Sequence, residues 1–127
     1  MKLRIKGNSL RLRLTQTEVK QFEASGQVAE TIHFGETEAA KMTYVLQKTD
    51  APEIFASYDA NRIQVNVPND LAESWTKTNQ VGLSHRMLQK EGAVLAILIE
   101  KDFKCLQTRE GEIEADMFPN PDEGKFC

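Results

Sequence analysis

Two segments of the chain, residues 8–34 and 61–87, carry the same order of structural signals and align without a gap at an offset of 53 residues. Each segment starts with a turn residue and continues with an alternating strand, a helix that contains one aromatic residue, a second turn and a second strand. Three aligned pairs are identical: Asn8 with Asn61, Gln27 with Gln80, and Val28 with Val81. The shared order predicts an internal duplication, so the chain should fold as two related halves.

The start of the chain predicts an antiparallel hairpin with one basic face. Residues 2–6 alternate lysine or arginine with leucine and isoleucine, and residues 9–14 alternate serine or arginine with leucine. A period of two indicates a strand with one polar face, and the short turn at Gly7 and Asn8 makes the two strands neighbours. The polar face of this hairpin holds up to five cations, which have to be solvated or paired.

Two short helices are predicted, one in each segment. Thr15 is a good N-cap for the first helix, and Glu18, three residues later, completes a capping box. The second helix starts at Pro68, with a capping side chain beside it. The aromatic residue of each helix, Phe22 and Trp75, is expected to pack into the core.

Further strand patterns bring the expected total to eight. They lie at residues 28–34, 41–47, 54–58, 63–67, 81–89 and 93–103. The last pattern is apolar on both faces, which is typical of a central strand that is covered on both sides. Because the connections other than the helices are of hairpin length, the sheet should be mostly antiparallel, and eight strands are enough for a barrel. The predicted fold is α+β: a mostly antiparallel eight-stranded curled sheet or barrel, made from two repeated strand-helix-three-strand halves with two short helices.

The length and the charge distribution favour one domain followed by a tail. The 127 residues suit a single hydrophobic core, which we place in residues 1–106. Residues 107–127 carry six acidic groups against two basic groups, although the net charge of the whole chain is only −3. This acidic tail is predicted to pack on the domain through Phe118 and Phe126.

The expected location of the protein is the cytoplasm. No apolar run is long enough to span a membrane. The basic start of the chain lacks the apolar block of a secretory signal. In the cytoplasm Cys105 and Cys127 would stay reduced.

The chain resembles a family of small uncharacterised bacterial proteins. The resemblance rests on the start MKLRIKGNSLRLRL, the stretch EKDFKCL at residues 100–106, and the FPNP and KFC motifs at the end. It covers the whole chain and implies a bacterial, cytoplasmic origin. It implies no particular function.

The order of helix and strands in each half is also similar to the CYTH, or triphosphate tunnel, architecture. That resemblance implies an antiparallel eight-stranded barrel that binds triphosphates or other long anions in a charged bore, usually with a divalent metal. The first strand of that family carries alternating glutamates followed by lysine, whereas residues 2–6 here have basic groups and no acid. The resemblance therefore implies anion binding. The carboxylates that would hold a metal for hydrolysis are missing from the first strand.

Basic residues on neighbouring predicted strands form the candidate ligand site. A guanidinium group suits phosphate because its forked donors bind two oxygens at once. We expect these side chains to converge in the bore, with His33 and Arg86 at corresponding positions of the two halves. The predicted ligand-binding residues are Arg4, Lys6, Arg11, Arg13, His33, Lys41 and Arg86. The alternative is a solvated sheet face, or one that the acidic tail neutralises.

Several metal-binding side chains occur without the spacing of a metal site. The carboxylates of Glu53, Glu100 and Asp102 more often pair with lysines such as Lys101 and Lys104 than bind a cation. The possible zinc ligands are Cys105, Cys127, His33 and His85. No pair of them has the close spacing of a zinc knuckle, and residues 116–122 lack the pattern of a calcium loop. No metal and no cofactor is assigned, and the question of catalysis is left open.

The expected partner is an anionic small molecule, and neither a nucleic acid nor a membrane. A pI of about 5.4, with aromatic residues confined to expected core positions, argues against nucleic acid. The leading hypothesis is a small binding protein for a phosphate-bearing ligand. A metal-dependent triphosphate phosphohydrolase of the CYTH kind and a structural or protein-interaction module are the alternatives.

Overall fold

A computed structural model describes residues 1–103, 116, 118 and 119, and this part of the chain forms eight strands, two α-helices and one 3₁₀ turn. The elements are β1 (Lys2–Ile5), β2 (Ser9–Leu14), α1 (Gln16–Ser25), β3 (Gln27–His33), the 3₁₀ turn (Glu38–Ala40), β4 (Lys41–Thr49), β5 (Phe55–Asp59), β6 (Arg62–Pro68), α2 (Asn69–Lys77), β7 (Gly82–Leu88) and β8 (Val94–Lys101). The predicted α+β class, with eight strands and two helices, is confirmed.

The strands form two separate four-stranded sheets. Sheet A has the order β1-β2-β8-β7, and sheet B has the order β3-β4-β6-β5. The four hairpins are antiparallel, as predicted, but β2 pairs with β8 and β4 pairs with β6 in parallel. Both sheets are therefore mixed, and the predicted barrel is wrong.

The helices explain why the strands do not form one closed sheet. The connection through α1 carries the chain from β2 in sheet A to β3 in sheet B, and the connection through α2 carries it from β6 back to β7. A short connection allows two successive strands to pair but does not require it: β4 and β5 are joined by residues 50–54, and β6 lies between them in sheet B. Both helical connections lie between β2 and β8, whereas β4 and β6 are connected through β5.

One hydrophobic cluster joins both sheets and both helices. Its fully buried members from the strands include Leu12, Leu14, Leu46, Val65, Val67 and Ile99. The rings of Phe22 and Trp75 meet edge to face in this cluster, with centroids 6.1 Å apart and an interplanar angle of 64°. Both rings have no exposed surface, so their predicted place in the core is confirmed.

The first helix has the predicted cap, and the second does not. Thr15 and Glu18 exchange the two hydrogen bonds of a capping box at the start of α1. At α2 the N-cap residue is Pro68, and no side chain caps the helix. The Asn69 amide, the expected capping group, donates instead to a carboxylate oxygen of Asp50 over 2.6 Å.

Two positions beyond β8 contact the folded domain. The backbone N–H of Phe118 donates to the Asp102 carbonyl oxygen over 2.8 Å, and its ring lies edge to face against Phe103. The Asp116 carboxylate accepts hydrogen bonds from the N–H and the hydroxyl of Thr17 in the first turn of α1. The predictions for Phe126, Cys105, Cys127 and the rest of the tail lie outside the described residues, so the division at residue 106 stays a prediction.

Within the described part of the chain, the helices are too short and too polar to cross a lipid bilayer.

Thr15→Ala should lower the free energy of unfolding by about 1 kcal/mol, because it removes the side chain that caps α1. Urea denaturation followed by far-UV circular dichroism measures this change. Thr76→Ala is the matched control within α2, since that hydroxyl donates only to the Glu73 carbonyl oxygen on the helix surface. Equal stability of the Thr15→Ala variant and the original protein would contradict the assigned cap.

Tyr44 should produce a loss of stability in strongly alkaline solution. Burial, and then the Glu30 carboxylate beside its hydroxyl, raise the pKa of Tyr44 from 10.0 to about 12. Between these two pH values the unfolded chain has lost the phenolic proton and the folded chain retains it. The free energy of unfolding therefore falls as pH rises through this window.

Absorbance titration of the phenolate measures the pKa directly. In a Tyr58→Phe variant, the transition that is left belongs to Tyr44, because the chain has two tyrosines. The expected midpoint lies near 12 in the folded protein, and the Tyr44→Phe variant should lose that part of the alkaline decline. A midpoint at the ordinary tyrosine value would show that the hydroxyl is not held as described.

Candidate anion-binding site

The alternation of side chains on sheet A separates leucines from arginines. On β2, Leu12 and Leu14 point into the core, so Arg11 and Arg13 point to the opposite, outer face. The ladders align these positions with the outward residues of the other three strands. One row across the sheet runs Arg4, Arg11, Leu98 and Ser84, and the next runs Ser9, Ala96 and Arg86.

A cavity of about 760 Å³ lies on this outer face. Its lining comes from all four strands of sheet A and from the turn after β1. The lining residues are Arg4, Lys6, Ser9, Leu10, Arg11, Ser84, His85, Arg86, Ala96, Ile97 and Leu98. We call the surface formed by these lining residues the basic face. The volume of the cavity is within the range of small-molecule sites.

Three of the four cations that line the basic face are unpaired among the described residues. Arg4, Lys6 and Arg86 make no ion pair with any other described side chain, and each is exposed. Arg4 and Lys6 come from one edge of sheet A, and Arg86 comes from the opposite edge strand, β7. Their positive charge is therefore available to an anion that enters the cavity.

Glu100 is shared by two arginines at the rim of the basic face. Its Oε1 atom lies 2.8 Å from Nε of Arg11 and 2.7 Å from Nε of Arg13. One carboxylate thus partly neutralises two guanidinium groups, and it accepts a hydrogen bond from Nε of Arg13. The expected pairing of Glu100 with Lys101 is wrong, because Lys101 points to the other face of β8 and donates to the Thr78 carbonyl oxygen over 2.8 Å.

The second carboxylate on this strand face is also paired. Asp102 continues the alternation after Glu100, and its Oδ2 atom lies 3.0 Å from Nζ of Lys2. Lys2 precedes Arg4 on the same face of β1. Both acidic residues that follow Leu98 on this face are thus bound to basic residues of the first hairpin.

The predicted ligand-binding residues fall into three groups. Arg4, Lys6, Arg11 and Arg86 line the basic face, and Arg13 lies beside it without lining it. His33 and Lys41 are on sheet B, where they line a separate cavity of about 280 Å³ and Lys41 pairs with Glu38 over 2.9 Å. The expected convergence in a bore is wrong, because the leucines of β2 occupy the interior and turn the arginines outward.

The ladders pair His33 with Lys41 and Arg86 with Ala96. At an offset of 53, Lys41 in β4 corresponds to Val94 in β8. The residue opposite Lys41 in its sheet is His33, whereas the residue opposite Val94 is Leu88. Lys41 and Val94 lie outside the aligned segments, so the correspondence of His33 with Arg86 stays a prediction.

Sequence reasoning missed the neutral residues of the basic face. Ser9 and Ser84 add hydroxyl groups, and Ala96 and Leu98 add an apolar floor. The sequence of β8 does indicate the apolar floor, since it has apolar residues on both faces of the strand. The pattern predicts a strand covered on both sides, but Leu98 keeps part of its surface exposed.

The candidate metal ligands do not converge in the described part of the chain, where no three His, Cys, Asp or Glu side chains are placed to hold an ion. Glu53 precedes β5 in sheet B, away from Glu100 and Asp102. His33 and His85 belong to different sheets. The two cysteines lie outside the described residues.

Comparison with known proteins gives one match. Residues 1–122 match a family of unknown function, DUF7009. No curated protein and no solved structure matches the chain. The match agrees with the expected resemblance to an uncharacterised family and supplies no activity.

Proposed function

The chain belongs to the family of unknown function DUF7009, and we propose that its basic face binds an anionic, phosphate-bearing ligand. The observation that carries the proposal is the set of unpaired cations: Arg4, Lys6 and Arg86 converge on one cavity and have no ion-pair partner among the described residues. The positive potential of these cations attracts an anion into the cavity.

The chemistry of the lining suits phosphate. Two neighbouring guanidinium groups, those of Arg4 and Arg11, face each other across the β1–β2 ladder and offer forked donors to phosphate oxygens. Lys6 adds a point charge at one end of the cavity. The hydroxyl of Ser84 lies in the same row as the two arginines and can donate to a further oxygen.

Binding is proposed in preference to metal-dependent hydrolysis because of the carboxylates on this face. Glu100 and Asp102 are both within ion-pair distance of basic side chains. A magnesium-dependent site holds its ion through carboxylate oxygens, and recruiting these two would take Glu100 from Arg11 and Arg13 and Asp102 from Lys2. The arrangement favours an anion bound directly by cations.

We also propose that the two halves arose by duplication. Replacing each strand of sheet A by the strand four places along the chain converts the order β1-β2-β8-β7 into β5-β6-β4-β3, which is sheet B. On this proposal, the corresponding face of sheet B carries Ser57 and Gln64 where sheet A carries Arg4 and Arg11. The anion site would then be a property of one half alone.

The double variant Arg4→Ala/Arg86→Ala should bind inorganic tripolyphosphate at least about tenfold more weakly than the original protein, because it removes two unpaired cations from the cavity. Isothermal titration calorimetry at low ionic strength measures the affinity, and added salt should weaken binding by the original protein. Arg62→Ala is the control, since Arg62 is an exposed arginine on the outer face of sheet B. The proposal fails if the original protein binds no tripolyphosphate at millimolar concentration, or if the control loses as much affinity as the double variant.

Glu100→Gln should bind tripolyphosphate about three- to tenfold more tightly than the original protein. The substitution removes a negative charge that competes with the ligand for Arg11 and Arg13 at the rim. The fold should survive, because partly exposed ion pairs of this kind contribute about 0–1 kcal/mol. Thermal denaturation checks the fold and calorimetry measures the affinity; weaker binding in a folded variant would show that Glu100 supports the site and does not compete with the ligand.

A further inference from the structure

The outer face of β8 carries apolar side chains in the middle of a charged surface. Its inner residues, Ile97 and Ile99, are fully or almost fully buried in the core. Its outer residues, Ala96 and Leu98, line the basic face and are only partly buried. A strand at the centre of a sheet with one face in the core and one face open needs apolar residues on the first face alone.

The apolar strip has a defined place between the cations. Leu98 lies next to Arg11 on one side and Ser84 on the other, and Ala96 lies between Ser9 and Arg86. Neighbouring strands are about 4.8 Å apart, so the strip separates β2 from β7 by about 10 Å. The basic face is therefore divided into a cationic part on β1 and β2, an apolar floor on β8, and one further arginine on β7.

A purely inorganic anion makes no favourable contact with the side chains of Ala96 and Leu98. Phosphate oxygens over Leu98 would lose water without gaining a hydrogen bond there, which is unfavourable. A flat apolar or aromatic group on the same floor would bury surface that is otherwise exposed to water. The guanidinium of Arg86 can stack on such a group from the other side of the strip.

We propose that the ligand is an organic phosphate that has an aromatic or otherwise apolar body. Its phosphate lies among Arg4, Lys6 and Arg11, and its body covers Ala96 and Leu98 and reaches Arg86. This inference rests on the proposed anion-binding function and adds the chemical class of the ligand. It identifies Leu98 as a residue that determines specificity and Arg86 as a contact for the body.

The test compares 1-naphthyl phosphate with inorganic phosphate at the same pH and ionic strength. Because the ring would bury apolar surface on the floor, 1-naphthyl phosphate should bind roughly tenfold or more tightly than inorganic phosphate. Its fluorescence should also report an apolar environment when it is bound to the original protein. This second signal does not depend on the folding of any variant.

Leu98→Ser should lower the affinity for 1-naphthyl phosphate about tenfold more than it lowers the affinity for tripolyphosphate, because only the ring covers the Leu98 side chain. Leu71→Ser is the matched control, since Leu71 is an exposed leucine on α2, away from the basic face. It should change neither affinity.

Three outcomes distinguish a failure of this inference from a failure of the proposed function. If tripolyphosphate binds while 1-naphthyl phosphate binds no better than inorganic phosphate, the organic-phosphate inference is overturned and the anion site stands. If Leu98→Ser weakens both probes equally, Leu98 supports the face without selecting a ligand, which also overturns the inference. If neither probe binds the original protein, the proposed function itself fails.

Discussion

The parallel pairing of β2 with β8 is the contact on which the candidate site depends. It joins a strand from the start of the chain to the last described strand and so makes one sheet from the two hairpins β1–β2 and β7–β8. Arg11 lies beside Leu98 because of this register, and Arg13 lies beside Glu100. A shift of one residue would turn every arginine of β2 into the core, where unpaired charges are not tolerated.

The core and the basic face are two results of the same alternation. The leucines of β2 join the cluster around Phe22 and Trp75, and their burial fixes which way the strand faces. The outward arginines are then held close together by the ladder, although they repel one another. Glu100 partly offsets this repulsion for Arg11 and Arg13, while Arg4, Lys6 and Arg86 have no such partner among the described residues. The basic face therefore has an excess of positive charge, although the whole chain has a net charge of −3.

Local features were predictable from the sequence, and the long-range ones were not. Period-two alternation identified the strands, short turns identified the hairpins, and Thr15 with Glu18 identified the start of α1, because each depends on residues close together in the chain. The central parallel pairs join strands that are not neighbours in the chain, since both helices lie between β2 and β8 and β5 lies between β4 and β6. The sequence pattern does not specify these pairs, and the predicted barrel was wrong. Within the site, the four lining cations were predicted by residue type. The register of β8 against β2 was needed to show that the arginines point outward, that Glu100 pairs with Arg11 and Arg13, and that Leu98 forms the floor.

Backbone amide NMR during a titration with tripolyphosphate tests the central claim most directly, because it locates the bound anion on the fold. The account predicts that the perturbed amides cluster on sheet A, around Arg4, Arg11, Ser84 and Leu98. Sheet B around His33 and Lys41 should be unaffected. Perturbations centred on sheet B, or none at saturating tripolyphosphate, would contradict the assignment of the basic face as the anion site.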